Sequence, residues 1–357
     1  MGGGCGSAVV TGVAVGLPAI SYSQEECARL GGLGGNDAKR RLIDRIVGCS
    51  GISRRHVAVS PLLDDVKHWS TAARMCRYQE EALPLCKDAV ASALTETRTE
   101  PAEVGLICVT SSTGYAAPGL DTRLARDVGI PSTVQRLLVG HMGCLAALPA
   151  LAACANFVRA QQQSAVLVNA ELSSLHLQPP PWNSTQQVVN ALFGDAVTAT
   201  VIRPERPAGV EHGLKIIDVA AQTDTEHEDY MSLTVGDHGF RMGLSPRVPE
   251  VLERYLPAMV GDLLSRHSIS LDDVRWWAVH PGGPRILDTT ESSLGLPPEA
   301  LTASRYVLQE HGNCASAGLP LVIEELQRRS PLAPKEYGLA LAFGPGLTLY
   351  AVLLLGV

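Results

Sequence analysis

Two kinds of apolar pattern alternate along the chain. Residues 8–15 switch between small and β-branched side chains, and residues 104–110, 165–171, 196–202 and 214–221 are nearly continuous apolar runs. Runs of that length bounded by turn residues predict strands, and one apolar at almost every position predicts a strand covered on both faces. Residues 276–280, 338–343 and 347–355 add three more. Between them the apolar residues return every three or four positions, the helical period. That spacing predicts a helix from a Ser23 cap to about Gly48 and a long helix over residues 71–97, broken or kinked at Pro84. In the long helix Ala72, Met75, Cys76, Ala82, Cys86, Val90 and Leu94 are placed inward. Further helices are predicted from Cys144 to about Arg159, over residues 188–193 and 248–265, and through Leu326. His176 to Trp182 carries three consecutive prolines and must be irregular.

Strands alternating with helices predict an α/β fold. Residues 204–213 form the best internal boundary, giving an N-terminal half of residues 1–205 and a C-terminal half of residues 206–357. Each half holds a buried strand ending at a polar residue and a helix opening at one, which suggests a duplicated βαβ unit.

Composition narrows the class. At 357 residues the chain exceeds one typical core, and 46% hydrophobic against 18% charged residues describes a packed protein. A net charge of −7 argues against a nucleic-acid binder and against an anionic membrane surface. Nine cysteines without CxxC spacing or a histidine cluster predict neither a disulfide framework nor a metal site, and fit a reducing, cytoplasmic setting. No secretory leader and no membrane-length apolar run are expected, hence no membrane insertion. The stretch Met1 to Ser7 grazes a myristoylation pattern, but Gly6 stands where a hydroxyl residue is needed, and it reads as a flexible tail.

The candidate chemistry starts at Val139-Gly140-His141-Met142-Gly143-Cys144, where a small-residue turn delivers a cysteine to a helix start. Unpaired N–H groups and the helix dipole there favour an anion, so Cys144 is a candidate nucleophile, expected to titrate below the ordinary ~8.5. His280 ends a buried strand before Pro281-Gly282-Gly283, and Asn313 precedes an apolar helix. Alone, each is also explained as a buried thiol, a structural histidine or a helix cap. Together they meet one need: a thiolate to carry an acyl group, with an imidazole and an amide to stabilise an oxygen that turns negative. Lys39, Arg40, Arg41 and Arg45 share a helix face, either a solvated one or a landing strip for phosphates, which Arg54 and Arg55 would extend. The Gly31-Gly32-Leu33-Gly34-Gly35 run follows no strand and is discounted as a dinucleotide loop.

Five segments in order carry a resemblance: Gly143-Cys144, Ala191-Leu192-Phe193-Gly194-Asp195, the run from His280-Pro281-Gly282-Gly283 to Asp288, Gly312-Asn313 and Phe343-Gly344-Pro345-Gly346. Over nearly its whole length the chain resembles the type III polyketide synthases, the chalcone-synthase-like members of the thiolase superfamily. The resemblance implies a thiolase-like αβαβα fold of two pseudo-repeated halves with mixed five-stranded sheets, a homodimer, and a buried cavity reached by a coenzyme A tunnel. It implies that Cys144 carries the acyl group as a thiolate paired with His280, and that His280 and Asn313 stabilise the enolate formed from malonyl-CoA. Phe193 would wall the tunnel from the cavity. Ser112, Thr113, Ala117, His176, Met242, Gly344 and Pro345 would line the substrate, with Arg41 and Arg45 near coenzyme A. An acyl-CoA starter and malonyl-CoA are then substrates, and no cofactor is needed.

Several positions depart from the plant pattern. Met242 stands where a second gating phenylalanine is common, Ala117 where a methionine often reaches into the partner subunit, and His176 where a small residue or threonine is usual. Cys49 replaces a usual lysine, and Ala342 the first glycine of a Gly-Phe-Gly-Pro-Gly loop. Residues 168–178 look more like bacterial members that make alkylpyrones or alkylresorcinols, which suggests a fatty acyl-CoA starter. A single-step β-ketoacyl synthase, an acyl-CoA-dependent acyltransferase and a silent scaffold subunit are the alternatives.

Overall fold

The computed structural model describes residues 6–32, 37–205 and 212–357. Most of the expected tail, of the glycine run and of the internal boundary lies outside the described residues, as do the side chains of Lys39 and Arg40. The first half contains β1 (Ala8–Gly16), β2 (Ile20–Ser23), α1 (Gln24–Gly32), α2 (Asp37–Gly48), β3 (Arg54–Val57), α3 (Thr71–Glu96), β4 (Val104–Ser111) and α4 (Leu120–Asp127). It continues through β5 (Gln135–Gly140), α5 (Ala147–Gln161), β6 (Ser164–Leu172), α6 (Ser184–Leu192) and β7 (Asp195–Pro204). The second contains β8 (Leu214–Thr223), β9 (Met231–Gly236), β10 (Gly239–Leu244), α7 (Val248–Ser265), β11 (Val274–Val279) and α8 (Pro284–Leu294), then α9 (Thr302–His311), α10 (Gly318–Arg329), β12 (Tyr337–Gly344) and β13 (Thr348–Gly356).

The main strands form one nine-stranded mixed sheet in the order β11-β12-β13-β8-β1-β7-β6-β4-β5. Two five-stranded sheets were expected; the first half supplies five strands and the second only four. A two-residue pairing, Val9 with Lys215 and Val10 with Leu214, stitches the sets together. The missing strand has a local cause. The segment before Cys144 is β5, whereas the segment before Asn313 is α9, whose Ala303, Val307 and Leu308 are buried at helical spacing.

Three apolar clusters account for the layers. Leu148, Leu151 and Val158 of α5 pack with Leu319 and Val322 of α10 between the two strand sets. Ala82, Cys86 and Val90 of α3 cover Ile107, Val166 and Ala199 on one outer face. Leu252, Leu256 and Val260 of α7, with Leu287 of α8, cover Trp277, Leu339 and Leu353 on the other. The result is the thiolase-like αβαβα order, with α5 and α10 in the middle. This buried position explains why Gly143–Gln161 has the length and mean hydropathy of a membrane span although Asn156 and Arg159 interrupt its apolar run, with 56% of the window buried inside the protein.

The long helix departs from its prediction twice. α3 runs unbroken through Pro84, which lies on the exposed side where the carbonyl it frees can meet water. Its first turns face inward through Arg74 and Tyr78, leaving Ala72 and Cys76 exposed and Met75 half-buried. Arg74 can be buried because its guanidinium donates to the carbonyls of Trp69, Val66 and Leu175.

Candidate active site

Cys144 sits in a single tight helical turn, Gly143–Leu145, that leads into α5. Its approach is sharply constrained. His141 and Gly143 both adopt φ of 62°, and a Cβ on Gly143 would lie 2.6 Å from Pro345 Cδ. A Cβ on Gly344 would meet Leu145 Cδ2 at 2.8 Å, so the Gly344-Pro345 turn clasps the cysteine loop from the other half of the chain. Ser112, at the end of β4, accepts the Gly143 N–H through Oγ at 2.9 Å.

Asn313 meets that sulfur across the two halves. Its Oδ1 lies 3.9 Å from Cys144 Sγ and accepts the Ala315 N–H at 2.9 Å, while Nδ2 donates to the Gly282 carbonyl at 3.1 Å. An amide nitrogen carries two hydrogens, so one donor remains. Backbone bonds from Gly194 N to Asn313 O and from Asn313 N to Leu192 O fasten the same residue to the segment carrying Phe193. His280 is 1% exposed at the end of β11, and its backbone N–H donates to Leu341 O. Both ring nitrogens are buried without a hydrogen-bond partner among the described residues. A Cβ on Gly318 would lie 3.2 Å from ring Cε1 and Nδ1, so small residues are required around the imidazole.

Burial works against the charge expected at the sulfur. Burial, reinforced by the Glu171 carboxylate and only partly offset by Asn313, pushes the Cys144 thiol up to about 12. Burial also pushes His280 down to about 3. Burial thus opposes the charged form of each group, and a thiolate–imidazolium pair here has to be held by the mutual attraction of its two charges. Removing an anion from water costs more here than one helix terminus returns.

A cavity of about 580 Å³ opens on the sulfur. Of the predicted residues, Cys144, Ser112, Thr113, His176, Phe193, Met242 and Pro345 line it. Asn313 and His280 are not in its lining, and Gly344 acts through the Cys144 loop. Ala117 is exposed on the loop after β4, and Arg41 and Arg45 are exposed on α2, outside the lining. Arg54 stays at the surface, paired with Glu310 at 2.8 Å, whereas Arg55 is buried in the cavity wall and does not extend a surface strip for phosphates. Lys67 is the lysine that reaches the lining.

His176 is held at both ring nitrogens. Phe240 N donates to Nδ1 at 2.9 Å, which leaves Nε2 to donate to Thr113 O at 2.7 Å, and the ring stacks on Phe240 at 4.5 Å. Burial pushes it down to about 4, so it is a neutral strut between the β4 loop and the β9–β10 hairpin. Pattern reading gave no role to Glu171. It accepts hydrogen bonds from Ser112 N, Thr113 Oγ1 and Ser316 Oγ, and burial raises it to about 7. The available signal was a carboxylate inside an otherwise apolar strand. Elsewhere, Asp224, Glu226 and His227 bring ligand atoms within 4.8 Å, but Asp224 spends its oxygens on Glu226 N and His227 Nδ1, and none lines the cavity.

A buried thiol facing an amide, with both halves of an αβαβα fold contributing, defines a condensing enzyme of the thiolase-like class. The sequence profiles described as chalcone and stilbene synthases match the chain at residues 33–206 for the N-terminal domain and 217–357 for the C-terminal domain. An alpha-pyrone synthesis polyketide synthase-like protein, Pks18, of Mycobacterium tuberculosis is 32% identical over 97% of this chain and 90% of its own length. A 1,3,6,8-tetrahydroxynaphthalene synthase of Streptomyces griseus is 33% identical over 87% of this chain and 82% of its own. Among solved structures, PKS-I of the brown alga Ectocarpus siliculosus superimposes with a TM-score of 0.93 at 27% identity, covering 100% of both chains. The chain belongs to the chalcone and stilbene synthase family, the type III polyketide synthases, and is thereby an acyl-transferring enzyme.

Proposed function

We propose that the protein loads an acyl-CoA starter on Cys144 and extends it with malonyl-CoA by repeated decarboxylative Claisen condensation, ending in ring closure to a pyrone, resorcinol or related product. The observation that carries this reading is Cys144 Sγ standing 3.9 Å from Asn313 Oδ1 at a cavity of about 580 Å³. In the loading step the thiol proton passes to the unpartnered imidazole of His280, and the sulfur attacks the starter carbonyl. Coenzyme A leaves with that proton. Malonyl-CoA then loses its carboxylate as carbon dioxide, and the electron pair of the broken bond moves into a thioester enolate. The remaining Asn313 N–H and the His280 ring stabilise its oxygen. The enolate carbon attacks the Cys144 thioester, giving an acyl-CoA two carbons longer and a thiolate that takes up a proton, and this thioester reloads Cys144 with loss of coenzyme A before the next round.

Repeated extension is favoured over a single condensation by the room available, since about 580 Å³ falls in the range of sites that enclose whole drug-sized ligands. The lining by Val57, Val59, Leu62, Val66 and Met242 supports an alkyl starter, as does the alpha-pyrone name of the mycobacterial relative. Lys67 at the cavity, with Arg41 and Arg45 on the outer helix, supplies cations for the coenzyme A phosphates. A homodimer belongs to the same reading, supported by β5 as the open sheet edge with Leu138, Met142 and Tyr115 exposed nearby. A cytoplasmic setting is supported by eight free cysteines among the described residues.

The test is mass spectrometry of products from a panel of acyl-CoA starters with malonyl-CoA. Product masses rising in successive two-carbon steps, abolished by Cys144→Ala, are expected. Extension confined to one unit would overturn iteration, and full-length product from Cys144→Ala would overturn the nucleophile.

A further inference from the structure

Arg55 carries a charge with no carboxylate bonded to it, although through space it helps to lower the buried Asp195 carboxyl. It lies on β3, is 5% exposed, and makes no ion pair among the described residues, while its neighbour Arg54 is paired with Glu310. Its Nη1 donates instead to the carbonyls of Asn190 and Phe193, both at 2.7 Å, at the C-terminal end of α6. Those are carbonyls that a helix end leaves without partners, and a cation is the favourable group there. Its stem packs beside two glycines. A Cβ on Gly312 would lie 2.6 Å from Leu192 O and 2.9 Å from Arg55 Cδ, and one on Gly194 would lie 2.3 Å from His311 O with Arg55 Cβ in ordinary contact at 3.4 Å. Gly194 follows Phe193 and Gly312 precedes Asn313, and the two segments are already bonded to each other through their backbones.

One buried guanidinium thus holds the meeting point of a cavity-wall residue and the amide that faces the sulfur. A helix cap alone does not require a fully buried cation, since water or a glycine turn serves most helix ends. We infer that Arg55 is a positioning residue for the condensation, pinning the end of α6 so that Phe193 and Asn313 keep one fixed spacing at Cys144. This rests on the proposed roles of Phe193 and Asn313. It assigns Arg55 no contact with substrate.

The experiment is a double-mutant cycle of Arg55→Met with Phe193→Ala, read as kcat and KM for malonyl-CoA decarboxylation alongside the melting temperature. Arg55→Met keeps the stem and removes the donors. It is expected to lower kcat about tenfold with KM little changed, to be partly rescued by Arg55→Lys, and to add nothing further in the Phe193→Ala background. If Arg55→Met does not fold, Arg55→Lys and Arg55→Gln carry the same cycle. Losses that multiply between the two sites, or a kcat that falls only with the folded fraction, would overturn the proposal and leave the condensation reading intact. A Phe193→Ala enzyme with parental kinetics would overturn both the role of Phe193 and the coupling built on it.

Discussion

Replacing Glu171 with glutamine exposes how much the site spends on a buried carboxylate. Its pKa rises from an ordinary 4.5 to about 7, chiefly through burial, against hydrogen bonds from Ser316, Ser112 and Thr113. A carboxyl raised on folding contributes stability that is fully present below the unfolded value and is lost as pH climbs through the folded one. Between about pH 5 and pH 8 the parent is expected to lose roughly 2–3 kcal/mol from this group alone. Glu171→Gln stays neutral and lacks that slope. The new amide also places a donor where Ser112 N donates or where the Thr113 and Ser316 hydroxyls must turn to accept, a pH-independent cost of about 1–3 kcal/mol. The variant is therefore expected to be less stable than the parent near pH 5 and close to it near pH 8. Denaturant titrations of both proteins across that range measure the difference directly, because the other titrating groups cancel. The same substitution removes a negative charge that raises the Cys144 thiol, so alkylation of that thiol is expected to begin at lower pH. Parallel stability profiles for the two proteins would refute the account of Glu171.

Other consequences are as direct. Iodoacetamide labelling of Cys144 is expected to keep rising above about pH 9, because burial holds the thiol up at about 12, and a plateau near pH 7 would restore the ion pair with His280. Asn313→Ala is expected to slow malonyl-CoA decarboxylation about 10²-fold while sparing acyl transfer to Cys144, and equal losses in both would remove its oxyanion role. His176→Ala breaks the hydrogen bonds to Thr113 and Phe240 together with the ring stack. A loss of about 2–4 kcal/mol in unfolding experiments is expected, with products shifted toward longer starters, and an unchanged product profile would show that His176 does not bound the cavity.

Much of the fold was readable because it is written locally. The runs at residues 104–110 and 165–171 became β4 and β6, and residues 248–265 became α7, since burial on both faces or on one stripe leaves a direct apolar signature. The β9–β10 hairpin carries no such local signature. Its stability comes from Thr71, which accepts from Gly239 N, and from His176, and both lie far away in sequence. The helix does not break at Pro84 for a related reason, since packing along α3 outlasts one missing hydrogen bond.

The order of strands and helices, the cysteine before an apolar helix, and the histidine and asparagine in the second half were determined by the sequence itself, because each is a property of neighbouring residues. Tertiary structure decided what joins them. It brought Cys144 to Asn313 across 169 positions, buried both the thiol and the imidazole so that each is pushed toward its neutral form, and turned Arg55 from a surface charge into a brace behind Phe193. Protonation and spacing depend on how much water is excluded and on which backbone carbonyls come within reach. Both are set only when the two halves close on one another.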